Sequence, residues 1–296
     1  MNASISPRSP VDPARSFDLV ADAFDRARPA YPDEAVPWLL DGVDPSGERL
    51  HAVELGAGTG KLTEQLVTRG CEVTAVDRSG AMLARLARRE PTARRTLGVA
   101  EQVPLAGRVA DLVVAAQSYH WFDGDRALPE AARVLRPGGR FAVMWNRRDV
   151  RIPWVRRLGG LIGADARRED PADGFGSAVD ESGMFETVER TSFRFWQPTS
   201  RDLLRDLVRS RPNVAMMSDP ERERVLRKVD ELYEEYGRGA DGMLLPYVTT
   251  ACRTTVLPWA VPLVEGPADA AVRPTPTDGP MVWDDAGDHS LLIDFR

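Results

Sequence analysis

The segment VELGAGTGKL, residues 53–62, places three glycines at alternate positions directly after a short apolar run. The pattern predicts the end of a β-strand, a tight turn and the start of a helix. Glycine has no Cβ, so a turn built from Gly56, Gly58 and Gly60 lets a ligand approach bare main chain, and the free N–H groups of the helix start face that ligand. We therefore expect a nucleotide-like ligand at this turn.

Apolar runs and amphipathic segments alternate on both sides of this turn. Strands are predicted at HAVEL, CEVTAV, RTLGV, DLVVAA and GRFAVMW, and helices at KLTEQLVTRG, AMLARLARR and RALPEAARVL. This alternation predicts an α/β fold with a mostly parallel sheet and helices on both faces, because parallel neighbours need crossover connections. Ligands bind such sheets at the carboxyl ends of the strands, where the glycine turn lies.

The later sequence changes character after the GRFAVMW run. Helical spacing is seen in WVRRLGGLIGA, SRDLLRDLVRS and ERERVLRKVDELYEEY, whereas FETVERTSFRFW and PYVTTACRTTV are typical of strands. We expect helices inserted between the late strands to form a lid over the ligand cleft. Lid elements are predicted at about residues 16–40 and 198–245.

Both ends of the chain are rich in Pro, Gly, Asp and Ala. Residues 1–15 are therefore predicted to be a flexible N-terminus, and residues 257–296 a Pro/Gly-rich C-terminal extension. The folded domain is then expected to comprise residues 16–256.

The composition excludes several classes of partner. The net charge is −6, which argues against a nucleic-acid binder. No apolar run approaches the roughly 20 residues that span a bilayer, and the N-terminus has no apolar signal core, so a cytoplasmic protein without a membrane partner is expected. Cys71 and Cys252 lie far apart without metal-ligand spacing, so neither a disulfide nor a metal site is predicted.

The type of nucleotide is narrowed by two positions. A dinucleotide fingerprint requires a glycine where this chain has Lys61, and no Tyr-Lys or His-Asp catalytic arrangement is present, so an NAD-dependent oxidoreductase is disfavoured. Asp77, at the end of the second strand in TAVDRSG, is placed to accept hydrogen bonds from both hydroxyls of a ribose. An adenosine ligand is therefore indicated.

Five segments in order resemble class I S-adenosylmethionine-dependent methyltransferases: VELGAGTGKL, VDRSGAML, GVAEQVPL, AAQSYHWFD and VLRPGGRFAVMWNRRD. The resemblance covers about residues 17–256. The chain is most similar to the small-molecule branch that contains the trans-aconitate methyltransferases, which also carries an RPxYP segment, here Arg28 to Pro32. This resemblance implies a Rossmann-like seven-stranded sheet whose last strand is antiparallel. It also implies S-adenosyl-L-methionine as cofactor and a small-molecule methyl acceptor that reacts at a carboxylate or hydroxyl oxygen.

The resemblance also implies roles for individual residues. Glu54 and the glycine turn would hold the methionine part of the cofactor, Asp77 the ribose and Met82 the adenine, while Gln117 would close the pocket near the sulfonium. The implied cofactor-binding residues are Glu54, Gly56, Ala57, Gly58, Gly60, Asp77, Arg78, Met82, Ala100, Glu101 and Gln117.

The acceptor side is less sharply defined by the sequence. His120 lies just past the fourth strand and is a candidate base or substrate-positioning residue, with a structural hydrogen bond as the alternative. Tyr119 and Trp121 are candidates for an apolar wall around the acceptor, although aromatic residues there also serve to close a core. Arg28 and Tyr31 are further substrate-binding candidates, since an arginine fork grips a carboxylate. The alternative for them is a purely structural role.

Two further points stay open. Arg147 or Arg148, after the fifth strand, could meet an acidic substrate or could face water. The intact glycines also fit a catalytically silent protein that binds the cofactor in a regulatory or assembly role.

Overall fold

Strands and helices alternate along the chain in the order that the apolar pattern predicts. The strands are β1 (His51–Leu55), β2 (Glu72–Asp77), β3 (Arg94–Leu97), β4 (Ala110–Ala116), β5 (Leu135–Arg148), β6 (Glu189–Thr199) and β7 (Met243–Thr255). The helices are α1 (Ala35–Leu40), α2 (Lys61–Thr68), α3 (Gly80–Arg89), α4 (Gly124–Val134), α5 (Pro153–Leu161), α6 (Pro171–Ser182), α7 (Arg201–Arg209) and α8 (Asp219–Tyr236).

This computed structural model describes residues 25, 27–162, 171–211, 214, 216–237 and 242–260. The chain divides into the units Met1–Pro262 and Leu263–Arg296, and every described residue belongs to the first. The predicted flexible N-terminus, residues 16–24 and 26 of the N-terminal lid element and nearly all of the predicted C-terminal extension lie outside the described residues.

The strands form one seven-stranded sheet in the order β3-β2-β1-β4-β5-β7-β6. Strands β1 to β5 pair in parallel, whereas β7 is antiparallel to both β5 and β6. This confirms the predicted mostly parallel sheet with an antiparallel last strand. The carboxyl ends of β1, β2, β4 and β5 therefore lie along one edge, where the site is expected.

The turn at Arg136–Gly139 falls within β5 and delivers the strand to β4. The register moves from Leu135, opposite Ala110, to Arg140, opposite Leu112, and Gly138 has φ +76°. The residues between these two pairs are extra relative to β4, as in a β-bulge.

Alternate residues of β5 define the two faces of the sheet. Phe141, Val143 and Trp145 pack into one core with α4 and α6, whereas Ala142 and Met144 pack into a second core with α1, α2 and α3. The layered α/β arrangement thus follows from a period of two in the strand sequence.

A third apolar cluster joins the later helices to the start of β7. It contains residues of α5, α7 and α8 together with Tyr247 and Ala27. The predicted lid segment at 198–245 therefore shares a core with α5 and Ala27, whereas α1 of the predicted N-terminal lid element packs in the second core.

The sequence analysis did not predict α6. Its sequence, PADGFGSAVDES, carries two glycines and few apolar residues, so its helical signal is weak. Phe175 and Val179 are completely buried in the core formed with α4, so tertiary packing stabilises the helix.

Candidate cofactor and acceptor site

The three glycines of the turn after β1 all have positive φ, but they need to be glycine for different reasons. A Cβ on Gly56 would lie 2.5 Å from Cβ of Ser118, and one on Gly60 would lie 2.7 Å from Cγ of Leu86. A Cβ on Gly58 would meet nothing within 4 Å. Gly56 and Gly60 thus allow the chain to pack, whereas Gly58 faces open space in which a ligand can approach the main chain.

Asp77 and the glycine turn are in direct contact. The Gly58 N–H donates to Oδ2 of Asp77 at 2.8 Å, and the Ser79 N–H donates to Oδ1 at 2.8 Å. The contact follows from the parallel pairing of β1 and β2, which brings their carboxyl ends to the same edge. Each carboxylate oxygen accepts about two hydrogen bonds, so each retains acceptor capacity for a hydroxyl of a ligand.

Glu54 is a buried carboxyl next to this contact. Its side chain is 2% exposed and accepts hydrogen bonds from the hydroxyl and the backbone N–H of Thr63. Burial, supported by the negative charge of Asp77, raises the pKa of Glu54 to about 8. A cationic group of a ligand nearby would restore the ionised form.

The residues expected around an adenine lie beyond Asp77. Met82 is half-buried in the first turn of α3, which Ser79 caps, and Ala100 is buried. The Glu101 carboxylate accepts a hydrogen bond from the Asp123 N–H at 2.9 Å, and the Arg78 side chain is exposed.

An exposed apolar residue that the sequence analysis did not single out also lies in this region. Leu97 of β3 pairs with Asp77 in the parallel register and is 64% exposed. If the Asp77 carboxylate binds a ribose, the exposed Leu97 side chain beside it is placed to contact the attached base.

Gln117 closes the carboxyl end of β4. It is a non-glycine residue with φ +60°, a conformation that costs about 1 kcal/mol or more and is common at functional sites. Its N–H donates to the Met144 carbonyl, and its Nε2 donates to the Asn146 carbonyl at 2.9 Å. Gln117 thus links the ends of β4 and β5.

The N-terminal segment is fixed over this edge by side chains that the sequence analysis missed. Gln65 of α2 accepts from the Tyr31 N–H and donates to the Tyr31 carbonyl, and Asn146 donates to the Ala30 carbonyl at 3.1 Å. The Tyr31 ring is buried, and the negative charge of Glu54 helps burial to raise its pKa. These pairs are separated by 34 and 116 residues, so no local pattern could have indicated them.

Asp25 adds a second attachment of this segment, directly at the glycine turn. It accepts hydrogen bonds from Thr59 and from both terminal nitrogens of Arg89, and Lys61 lies 3.9 Å away. Burial opposes ionisation of Asp25, but the hydrogen bonds from Arg89 and Thr59 lower its pKa overall. The lysine that replaces the third glycine of a dinucleotide fingerprint therefore faces a carboxylate of the N-terminal segment.

The aromatic turn after β4 divides its residues between core and solvent. The Tyr119 ring is 8% exposed and packs on Phe141, Trp145 and Phe175, which is the core-closing role that the sequence analysis held as an alternative. Trp121 is 70% exposed. His120 is also exposed, with its ring centroid 4.8 Å from that of Trp121.

Arg28 lies next to the fixed part of the N-terminal segment. Its side chain is exposed to solvent, three residues before the buried Tyr31. The structure brings it within electrostatic reach of Tyr31, Arg211 and Tyr247. The two sequence candidates Arg28 and Tyr31 therefore lie together.

Other candidate chemistry is not supported where the structure describes the chain. No group of three potential metal-ligating side chains occurs among the described residues. His51 is held at the amino end of β1 by the Val109 carbonyl and the Thr74 hydroxyl. No helix in the described ranges is both long and apolar enough to cross a bilayer.

Comparison with known proteins gives a consistent set of relatives. Residues 53–143 match a family model described as a methyltransferase domain. An uncharacterised methyltransferase of Mycobacterium tuberculosis is 41% identical over 247 residues, covering 83% of this chain and 97% of that protein. A second uncharacterised methyltransferase, from Schizosaccharomyces pombe, is 31% identical over 227 residues, 76% of this chain and 89% of that protein.

A solved structure shows a similar fold. It is a protein of Anabaena variabilis described as a methyltransferase from an antibiotic biosynthesis pathway. The two chains are 20% identical and superpose with a TM-score of 0.54 over 74% of this chain and 95% of that one.

Proposed function

The chain belongs to the class I S-adenosylmethionine-dependent methyltransferases, and we propose that it transfers a methyl group to an oxygen of a small-molecule acceptor. S-adenosyl-L-methionine, when bound, supplies a sulfonium methyl group that an acceptor oxygen takes by in-line displacement, which leaves the sulfur as a thioether. The observation that carries the proposal is the contact between Gly58 and Asp77, with Glu54 buried beside it.

The chemistry of these residues fits the cofactor. The Asp77 carboxylate has acceptor capacity left for the ribose hydroxyls, and the open space at Gly58 admits the ligand to the main chain. Glu54 would face the ammonium of the methionine part. Met82 and the exposed Leu97 would cover the adenine, with Ala100 and Glu101 at its edge.

The protein's contribution to the displacement would be positioning. An in-line transfer needs the acceptor atom held against the methyl group in a cleft that excludes water. Gln117 and Asn146 join the ends of β4 and β5 to the N-terminal segment, so they would form the wall between cofactor and acceptor.

The need for a base depends on the acceptor. A carboxylate is already ionised and needs none, whereas a hydroxyl benefits from one, and exposed His120 is then the candidate. The small-molecule branch suggested by the RPxYP segment is part of this proposal.

Two measurements test the proposal. Calorimetry with S-adenosylhomocysteine should show binding, and its absence at millimolar concentration would contradict the proposal. The chain is then incubated with a labelled methyl donor and a metabolite extract. A labelled small product would identify the acceptor and rule out a protein that binds the cofactor without turnover, whereas binding without any labelled product would favour that alternative.

A further inference from the structure

Two half-buried arginines, Arg148 at the end of β5 and Arg211 after α7, lack an anionic partner among the described residues. Nη1 of Arg148 is buried without a hydrogen-bond partner, and so is Nε of Arg211, which follows α7. A buried donor that is left unsatisfied destabilises the fold, and more so when it is charged. Both arginines are only half-buried, so each also presents accessible surface with which an anion can pair.

The fold brings these arginines to one place. Arg148 pairs with Tyr247 across the antiparallel β5–β7 ladder, so the two side chains stand on the same face of the sheet. Tyr247 packs in the third apolar cluster with Val208 and Val214. Arg211 lies between these two valines in the sequence and is within electrostatic reach of Tyr247. The Tyr247 ring also stacks on Phe195, with centroids 5.4 Å apart, which fixes its orientation.

The electrostatics of the group agree with this placement. Burial and then the positive charge of Arg211 lower the pKa of Arg148 to about 10, and burial lowers the pKa of Arg211. Burial raises the pKa of Tyr247, although both arginines oppose that change. Both guanidinium groups stay charged at neutral pH, so the site is positive.

No carboxylate in the described part of the chain neutralises the group. Asp149 follows Arg148 directly, but its carboxylate is bound by Arg151, with Nε of Arg151 2.7 Å from Oδ1. Arg28 lies within electrostatic reach of Arg211 and Tyr247 and adds positive charge.

The group lies beside the cleft of the proposed function. Asn146 precedes Arg148 by two residues on the same face of β5, and it is bonded both to Gln117 and to the N-terminal segment at Ala30. Arg28, two residues before Ala30, lies within electrostatic reach of Arg211 and Tyr247.

We propose that Arg148, Arg211 and Tyr247 form a subsite that binds an oxyanion of the methyl acceptor, either a carboxylate or a phosphate. The inference rests on the proposed function and names the class of acceptor. Arginine forks pair with planar carboxylates and with phosphates, and the phenol of Tyr247 adds a donor. The anion pairs with the accessible part of both half-buried arginines, and Arg28 lines the entrance.

The test uses malonate and inorganic phosphate as probes of the two anion types. The full chain is first titrated with S-adenosylhomocysteine, and each probe is then titrated by calorimetry into the chain with and without that ligand, at constant ionic strength. At least one probe should bind the unsubstituted chain. The probe that binds more tightly distinguishes a carboxylate acceptor from a phosphate acceptor.

Substitutions assign that binding to the subsite. Arg148→Gln and Arg211→Gln should each weaken probe binding about tenfold or more, the equivalent of one charge-assisted hydrogen bond. Arg148→Lys keeps the charge but loses the fork, so it should also weaken binding, and it serves if Arg148→Gln does not fold. Arg157→Gln is the matched control, because the Arg157 guanidinium lies on the surface of α5 and pairs with Glu235 at 2.6 Å.

The outcomes separate this inference from the proposed function. If neither probe binds, or if the Arg148 and Arg211 variants bind it as the unsubstituted chain does, the subsite is wrong even when S-adenosylhomocysteine binds. If S-adenosylhomocysteine does not bind but a probe does in an arginine-dependent way, the anion site stands and the proposed function fails.

Discussion

The cofactor half of the cleft and the acceptor half are built in different ways. In the cofactor half, Glu54, Gly58 and Asp77 lie within 24 consecutive residues, and backbone N–H groups make the polar contacts. In the acceptor half, Arg148, Arg211 and Tyr247 come from three distant segments and meet through side chains.

The difference has a physical basis. A strand, turn and helix that are adjacent in sequence place main-chain donors with little dependence on the rest of the chain. A short sequence motif is therefore enough to determine how these donors contact a ligand. Side chains that converge from separate elements depend on every packing contact between those elements. The first half is therefore suited to a constant ligand, and the second to one that varies among relatives.

The largest expected effect tests whether the glycines of the cofactor half have separate roles. Gly56→Ala should lower the free energy of unfolding by about 3 kcal/mol, because residue 56 has a positive φ, which alanine disfavours, and because the new Cβ would clash with Ser118. Gly58→Ala should lower it by only about 1 to 2 kcal/mol, from φ alone. Urea denaturation measures both free energies of unfolding. Equal losses in the two variants would show that Gly56 and Gly58 do not differ in the space around them as described.

The next effect concerns the carboxylate that joins β2 to the turn. Asp77→Ala should weaken S-adenosylhomocysteine binding about a hundredfold, because the Gly58 and Ser79 N–H groups and the ribose hydroxyls all lose their acceptor. Calorimetry measures the affinity, with Asp77→Asn as the control that keeps shape and one acceptor. If the affinity of Asp77→Ala for S-adenosylhomocysteine is unchanged, the ribose does not bind at Asp77.

A smaller effect is expected in the cofactor half, where the affinity for S-adenosylhomocysteine should depend on pH. Below pH 8 the buried Glu54 is largely protonated in the free protein, and a ligand ammonium favours its ionised form. Binding of S-adenosylhomocysteine should therefore release a proton, and its affinity should rise by about tenfold from about pH 6 to about pH 8.

Glu54→Gln is the control for this prediction, since it has no proton to release and its affinity should not change over that range. The stability of the ligand-free chain should change with pH in the opposite direction, because the pKa of Glu54 is higher in the folded chain than in the unfolded chain. The free energy of unfolding of the unsubstituted chain should then decline over the same range relative to Glu54→Gln. An affinity that is independent of pH in both proteins would place the ammonium elsewhere.

The smallest expected effect lies in the acceptor half. If the acceptor reacts at a carboxylate, His120→Ala should lower kcat by less than about tenfold, since no base is needed and the side chain is exposed. The measurement requires the acceptor found by the labelling experiment. A loss of about a hundredfold or more would instead indicate base catalysis on a hydroxyl.

The sequence predicted the sheet well because its evidence was local. The buried run of β4 and the alternation along β5 reflect burial on two faces, so strand type and position followed from the pattern. α6 was missed because buried residues such as Phe175 stabilise it and its own propensity does not.

The sequence predicted the placement of those site residues whose positions depend on the main chain and on the ends of the strands. That Gly58 and Asp77 meet follows from parallel pairing of consecutive strands. The aromatic turn could not be resolved in the same way, since no periodicity indicates that Tyr119 turns into the core while Trp121 is 70% exposed.

The amino-acid sequence by itself determined the α/β alternation, the glycine turn and the acidic strand end, because each depends on residues close together in the chain. Only the tertiary structure decided which side chains share the acceptor half. The sequence left open whether Arg147 or Arg148 meets an acidic substrate or faces water, and it did not single out Arg211. Arg148 and Arg211 form a positive group only once β5, β7 and the helix before Arg211 have packed together. The physical reason is that side-chain convergence depends on long-range packing, which no short segment encodes.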